Sequence, residues 1–458
     1  MKRLRVVSFC LSMAVTMSFL LTACFNPAPA NSAAGSKNNS NTADSENSTV
    51  DTTNKTMVLW DGNTEDPGST LYQSFADSFA KERGVKVKRV AIAFEDLRNT
   101  IKPAINSGEG PDIFSGDPGP AYLGVYAKGG LALDLTSAAQ TNGWNDKFYS
   151  WVLKQCTFNG KLYGIGNSIE TLGVFYNKKV FEQYNIDLPK TYDNFLNICK
   201  LLKSKSITPL MFTDLDQWPG FHLESMWLNS GVGASAVSDV LALKTKFDQP
   251  AFAQALDKLS EIVKDGYTNS SPNSLKMDDA LKQFIAGKAA MMPTGTFNLS
   301  ILIDPKTGMG DNVGFFTLPP FTGVAPAPCN GIGEAWIVNA KSKNVDLAID
   351  FLNYIFSGDR LRQWYEEGGT IPSVKGVDIS SYKLQPTFKQ VATTLLSANS
   401  KAVGQSLDVL LPSKVNSVTK NDIQKLLSGK ITGLQCMQDK QKSLESEIQA
   451  GNYEAQAQ

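Results

Sequence analysis

The chain has 458 residues, with 44 Lys+Arg against 44 Asp+Glu and one histidine, His222. Balanced charge argues against a nucleic-acid partner, which would favour a basic face. A single histidine excludes His-rich metal sites, and six cysteines without CxxC spacing give no zinc or redox motif.

In chain order, the first feature is a basic tip, Lys2-Arg3-Arg5, followed by an apolar run from Val6 to Leu21 and then Leu21-Thr22-Ala23-Cys24. This is the layout of a lipobox, in which Cys24 takes a diacylglyceryl group and becomes the first residue after cleavage. The apolar run holds Ser8, Ser12, Thr16 and Ser18 and is shorter than the ~20 residues of a spanning helix. Ala28-Pro29-Ala30 offers a small-x-small cleavage site, but it lies too far beyond the apolar run and contains a proline. Removal of residues 1–23 leaves 41 basic and 44 acidic residues. Residues 25–55 are mostly Asn, Ser, Ala, Thr, Pro and Lys, too polar to offset the entropy of ordering, and read as a tether.

The ordered body is expected to begin near Thr56. Met57–Trp60 reads as a short apolar strand. Leu71, Phe75 and Phe79 give one apolar helix stripe, ended by Gly84. Val85–Lys88 alternates with the period of a half-buried strand. Leu97, Ile101 and Ile105 mark a second helix, with Pro103 a kink or first turn. Gly110-Pro111 then leads to the strand Asp112–Ser115. This order argues for an open α/β sheet, whose ligands sit beyond the carboxyl ends of the strands. Those ends are Trp60–Asn63 and Ser115–Gly119.

The middle is more helical. Thr191 is placed to cap a helix over Tyr192–Ser204, and Phe252–Val263 and Asp278–Ala286 carry helical spacing. Ala289–Met292, Val313–Phe316 and Ala335–Val338 read as strands, Asp346–Phe356 as an amphipathic helix, and roughly Lys420–Ala450 as a charged helical tail. Cys156, Cys199, Cys329 and Cys436 are compatible with one or two disulfides or with buried thiols, and spacing does not choose between them.

Four stretches carry a family resemblance: Gly110–Asp117 followed by Tyr126–Leu131 and Asp134-Leu135; Gly160–Ile165 leading through Glu170 to Val174–Lys178; Phe284–Met291; and Asn339–Asn344 before Ala348–Phe356, with Ile371-Pro372-Ser373 after it. Together, in this order, they resemble the extracellular solute-binding proteins of carbohydrate ABC importers, the group related to maltose-binding protein. The resemblance spans Thr56 to about Tyr453. It implies a two-lobed α/β periplasmic-binding-protein-like fold with a hinge crossed three times, near residues 168, 320 and 374. Residues 56–168 and 320–374 would form lobe 1, and 169–319 and 375–453 lobe 2. It further implies a monomer without catalytic residues, cofactor or metal, which closes on a carbohydrate and docks on ABC permease subunits. The lipid on Cys24 would hold it on the outer face of the cell membrane, in a bacterium without an outer membrane.

Sugars present hydroxyl arrays and weakly apolar C–H faces, so carboxylates and amides beside flat rings are expected in the cleft. Trp60, Asp61 and Asn63 follow the first strand; the competing reading is a core tryptophan before turn residues. Asp117 sits in the first-lobe ligand loop or in an ordinary Asp-Pro turn. Glu170 is a cleft acid or a hinge ion-pair partner. Trp218, among Asp216, Gln217, Pro219 and Gly220, is the stacking candidate of the second lobe and reads as a loop residue. His222 is nearby, while Trp227 reads as core. Phe297 stands where the family often has Trp. Glu334 and Trp336 follow the second crossing, with Glu334 the better placed to meet ligand, and Asp408 corresponds to a late cleft loop.

Two other functions fit parts of this pattern. A secreted glycoside hydrolase needs two carboxyls ~5–10 Å apart, which Asp117, Glu170 and Glu334 could supply. A binder of a peptide, polyamine or metal is disfavoured by near-neutral charge and the lone histidine.

Overall fold

The computed structural model describes residues 55–306, 308–397 and 404–453. Cys24, the lipobox and nearly all of the expected tether lie outside the described residues. The first strand, Thr56–Asp61, starts where the polar stretch ends.

Two sheets organise the body. The first has the order Lys86–Ala91, Thr56–Asp61, Ile113–Gly116, Ala335–Val338, Ile165–Gly166. Its first three strands are parallel and the last two pair antiparallel. The second sheet has the order Gly404–Gln405, Cys329–Ile332, Ile169–Asn177, Met291–Gly295, with Val313–Phe316 also paired to Ile169–Asn177.

Helix Gly68–Arg83 covers the first sheet because Leu71, Phe75 and Phe79 fall on one face, and all three are buried. Each such burial stabilises by about 1.5–3 kcal/mol. Gly84 ends the helix at φ 65°, a left-handed conformation open to glycine. In helix Phe94–Ser107, Pro103 lies inside the last turns rather than at the start. Thr191 caps Tyr192–Ser204 through the Asn194 amide at 3.2 Å. The charged tail is two helices, Ser413–Leu427 and Gly433–Gln449, broken where Gly429 takes φ 70°.

Strand Ile169–Asn177 shows the two-residue period at work. Leu172 and Val174 join the core of helices Trp218–Val232, Pro250–Lys264 and the two tail helices. Phe175, on the other face, joins Phe284, Leu302 and Phe388, which are continuous with the core of the first sheet. The first core also stacks aromatic edges, with Tyr72 against Trp336 at 5.4 Å and Trp364 at 5.5 Å. Cys156, Cys199, Cys329 and Cys436 are all buried free thiols.

The two sheets meet at a junction of three chain segments. Asn167 N–H donates to Glu334 O at 2.8 Å and Gly333 N–H to Ser168 O at 3.1 Å. Ile169 N–H donates to Ile371 O at 2.8 Å and Ser373 N–H to Asn167 O at 3.3 Å. The chain therefore passes between sheets at Asn167-Ser168, at Gly333-Glu334 and around Pro372. The segment expected to cross near residue 320 stays with the second sheet through Ile332, because Cys329–Ile332 pairs with Ile169–Leu172.

Candidate functional site

Polar side chains from both sheets collect at this junction. Glu334 stands at the second passage. Its Oε2 lies 3.4 Å from Asn63 Nδ2, and the Ser115 hydroxyl hydrogen-bonds it. Burial pushes its carboxyl up to about 8, with Asp61, Asp117 and Glu170 adding to the rise against the Ser115 bond. Glu170 stands just past the first passage, with Ser168 Oγ at 3.1 Å. Burial pushes it up to about 7, opposed by that hydroxyl and by His222, and Asp408 adds to the rise.

Backbone presses on both carboxyls. A Cβ on Gly62 would collide with Glu334 Oε1, and one on Gly333 with Glu170 Oε1 and Ser168 Oγ. Glycine at these positions lets the turns approach the acid heads.

The second sheet adds an aromatic group. Trp218, His222 and Phe297 have ring centroids 5.2 to 5.8 Å apart in edge and tilted arrangements, and all three are half-buried. Trp218 is the first residue of helix Trp218–Val232 rather than a loop residue. Gln217 turns the chain at φ 65° just before it, and Asp214 Oδ1 accepts from Gly220 N–H at 2.7 Å in the first turn. Phe297 lies in the short 3-10 turn Thr296–Asn298 after strand Met291–Gly295. His222 Nε2 is 3.2 Å from Asp408 Oδ2, whose other oxygen accepts from Ser406 Oγ at 2.6 Å. Burial alone would raise Asp408, but His222 and Ser406 outweigh it and hold the carboxyl at about 2.

Asp61 and Asp117 are engaged by arginines. Arg89 grips Asp61 through Nε at 2.7 Å and Nη2 at 2.8 Å, with both side chains buried. Arg98 grips Asp117 through Nε at 2.7 Å and Nη2 at 2.8 Å and lies over the rings of Phe94 and Tyr122. Burial opposes the Arg98 charge, but Asp117 outweighs it and raises the guanidinium above its ordinary range. Asp61 is thus a fully enclosed anchor that accepts the Asn63 amide at 2.9 Å and shapes the loop. Trp60 is half-buried against the first core. Trp336 is fully buried between Tyr72 and Phe351, which makes it a core residue and corrects the expectation that it meets ligand. Trp227 is core as expected, its indole donating to Tyr192 Oη at 3.0 Å.

Sequence reading did not single out Arg89, Arg98 or Tyr122. Arg89 had a signal: Val85, Val87 and Arg89 share one face of an alternating strand, so its guanidinium points where an apolar side chain would. The others are brought in by tertiary contact alone.

The family described as bacterial extracellular solute-binding protein matches residues 74–390. The chain belongs to this family. Among its relatives, this solute-binding protein is 25% identical to the Multiple sugar-binding protein of Streptococcus mutans over 343 residues, 71% of this chain and 77% of that one. It is 24% identical to the Diacetylchitobiose binding protein DasA of Streptomyces coelicolor, over 78% and 80% of the two chains. Its fold matches a solved chitin oligosaccharide binding protein at a TM-score of 0.77, with 25% identity over 86% of this chain and 98% of that one. It matches equally, at 0.77 and 27% identity, a structure from work on xylan utilization by Caldanaerobius polysaccharolyticus, over 85% and 100% of the chains. The two-lobed α/β architecture is that of this family. Among the described residues no helix is long and apolar enough to cross a membrane.

Proposed function

We propose that this solute-binding protein captures a sugar or oligosaccharide between its lobes and hands it to the permease of an ABC importer. The observation that carries this reading is the ring group Trp218, His222 and Phe297 set beside the carboxyls of Glu170 and Asp408, next to the three-segment junction. Rings cover C–H faces and carboxyls take paired hydroxyls. Glu334, Asn63 and Asp117 contribute from the first lobe, with Trp60 at its rim. The relatives' names, which speak of sugars, chitobiose and chitin oligosaccharides, support the same class.

The lobes divide at the junction, so that Asn167-Ser168, Gly333-Glu334 and Pro372 form the hinge. Three short segments outside the helices can absorb a few changed dihedrals, as hinge closure requires. Cys24 carries the lipid, the following polar stretch is the tether, and the protein works as a monomer on the outer face of a membrane in a cell without an outer membrane. Tethering raises its effective concentration near the permease.

Calorimetry with a panel of neutral oligosaccharides, paired with small-angle scattering, tests this reading. Expected are saturable binding of at least one sugar and compaction on binding. A panel without a binder, or binding without compaction, overturns capture by closure. Raised Glu170 and Glu334 are also what a glycosidase acid requires, so product analysis belongs to the same experiment; turnover would replace the transport reading with a hydrolytic one.

A further inference from the structure

The charges at the junction do not balance one for one. Asp61 is matched by Arg89, Asp117 by Arg98 and Asp408 by His222. Glu170 and Glu334 have no ion-pair partner among the described residues; Glu170 is held by Ser168, and Glu334 by Ser115 and Asn63. His222, the one basic group that reaches Glu170 electrostatically, is already bonded to Asp408. Gly62 and Gly333 leave room for the acid heads, since a Cβ at either position would meet the carboxyl oxygen of Glu334 or Glu170.

Resting on the sugar-capture reading, we propose that Glu170 and Glu334 set the charge specificity of the cleft: it admits uncharged or amine-bearing saccharides and rejects those that carry a carboxylate. An uncharged hydroxyl array can donate to either acid when it is ionised, and can also accept from it when it is protonated. An ammonium supplies the positive charge that the protein leaves out. A ligand carboxylate brings a further negative charge to two acids that no cation of the described residues offsets, and in proportion to their ionisation it is repelled far more than in water. Repulsion of this kind discriminates without any loss of contacts to the accepted ligand. Burial raises both carboxyls, and the neighbouring acids add to the rise.

The test uses matched pairs on the full chain: xylotriose against its glucuronic-acid-branched form, galactotriose against trigalacturonate, and the N-acetylglucosamine trimer against the glucosamine trimer. Calorimetry at pH 8, where Glu170 is largely and Glu334 about half ionised, is run on the wild type and on Glu170→Gln and Glu334→Gln, with folding checked by thermal melting. For whichever sugar binds, the acidic partner is expected to bind at least tenfold more weakly, and the amine partner no more weakly than the neutral one. Either Gln variant is expected to shrink the acid penalty to threefold or less. Equal wild-type affinity for neutral and acidic partners overturns the inference and leaves sugar capture standing. A penalty unchanged in both folded variants assigns the rejection to shape and also overturns it. If no neutral sugar in the panel binds, the capture reading itself fails and takes the inference with it.

Discussion

His222 Nε2 and Asp408 Oδ2 lie 3.2 Å apart although 186 residues of chain separate them. The contact ties the first turns of the helix that carries Trp218 to the loop before the tail helices. The pair is mostly buried. Asp408→Asn keeps a hydrogen-bonding group but removes the charge. The depression of the Asp408 carboxyl to about 2 corresponds to about 2 kcal/mol of stability. This stability is present above the unfolded value near pH 4 and is lost as pH falls toward 2. Urea unfolding at pH 7 should show the variant weaker by about that amount, and the difference should narrow below pH 4. A constant difference at every pH would remove the charge from the explanation.

Glu170 and Glu334 act in the opposite direction. Their folded values of about 7 and about 8 lie above the unfolded carboxyl value of about 4.3. Between about pH 5 and 8 the folded state therefore holds protons that the unfolded chain has released, and stability falls as pH rises through that window. Asp214, pushed up to about 7 by burial, adds to the same slope. Urea midpoints at pH 5, 6.5 and 8 should decline, and the Glu170→Gln/Glu334→Gln double variant should decline less. An identical slope in the double variant would show that these two acids are not the source.

Trp218 is the ring best placed to cover a sugar face, being half-buried and grouped with His222 and Phe297. Trp218→Ala should weaken binding of the accepted sugar by about 1 kcal/mol or more, with melting temperature reduced only slightly. Wild-type affinity in calorimetry would take Trp218 out of the site.

A Cβ at Gly333 would meet the Glu170 carboxyl and the Ser168 hydroxyl, so one of them must shift. Gly333→Ala should displace the Glu170 carboxyl, weaken ligand binding, and cost about 1–3 kcal/mol of stability by overpacking. Unchanged binding and melting would mean that the junction yields without consequence.

Lys440 Nζ lies 2.6 Å from Glu224 Oε1, with both side chains buried and the ammonium over the rings of Phe221 and Phe247. Removing one partner strands the other charge. Lys440→Met should cost about 3–5 kcal/mol, and the Lys440→Met/Glu224→Leu double variant should recover much of it. Chemical denaturation of the three proteins decides this, and a double variant as weak as the single one would count against charge stranding.

Local pattern determined much of this protein. Leu71, Phe75 and Phe79 specified a helix and its buried face, Val313–Phe316 and Ala335–Val338 specified strands, and the order of motifs specified the family. These features depend on neighbours within a few residues, so one sequence carries them. The partners of the acids were decided only by the tertiary structure. Asp61, Asp117, Glu170, Glu334 and Asp408 look alike along the chain. Two are held by arginines, one by His222, and two have no ion-pair partner among the described residues, because strand order and the three-segment junction bring together residues far apart in sequence. The tryptophans divide for the same reason: Trp336 is buried by Tyr72 and Phe351, whereas Trp218 is half-buried beside His222 and Phe297. Burial and charge pairing are properties of space rather than of sequence neighbourhood, and they decide which of these residues remain free to meet a ligand.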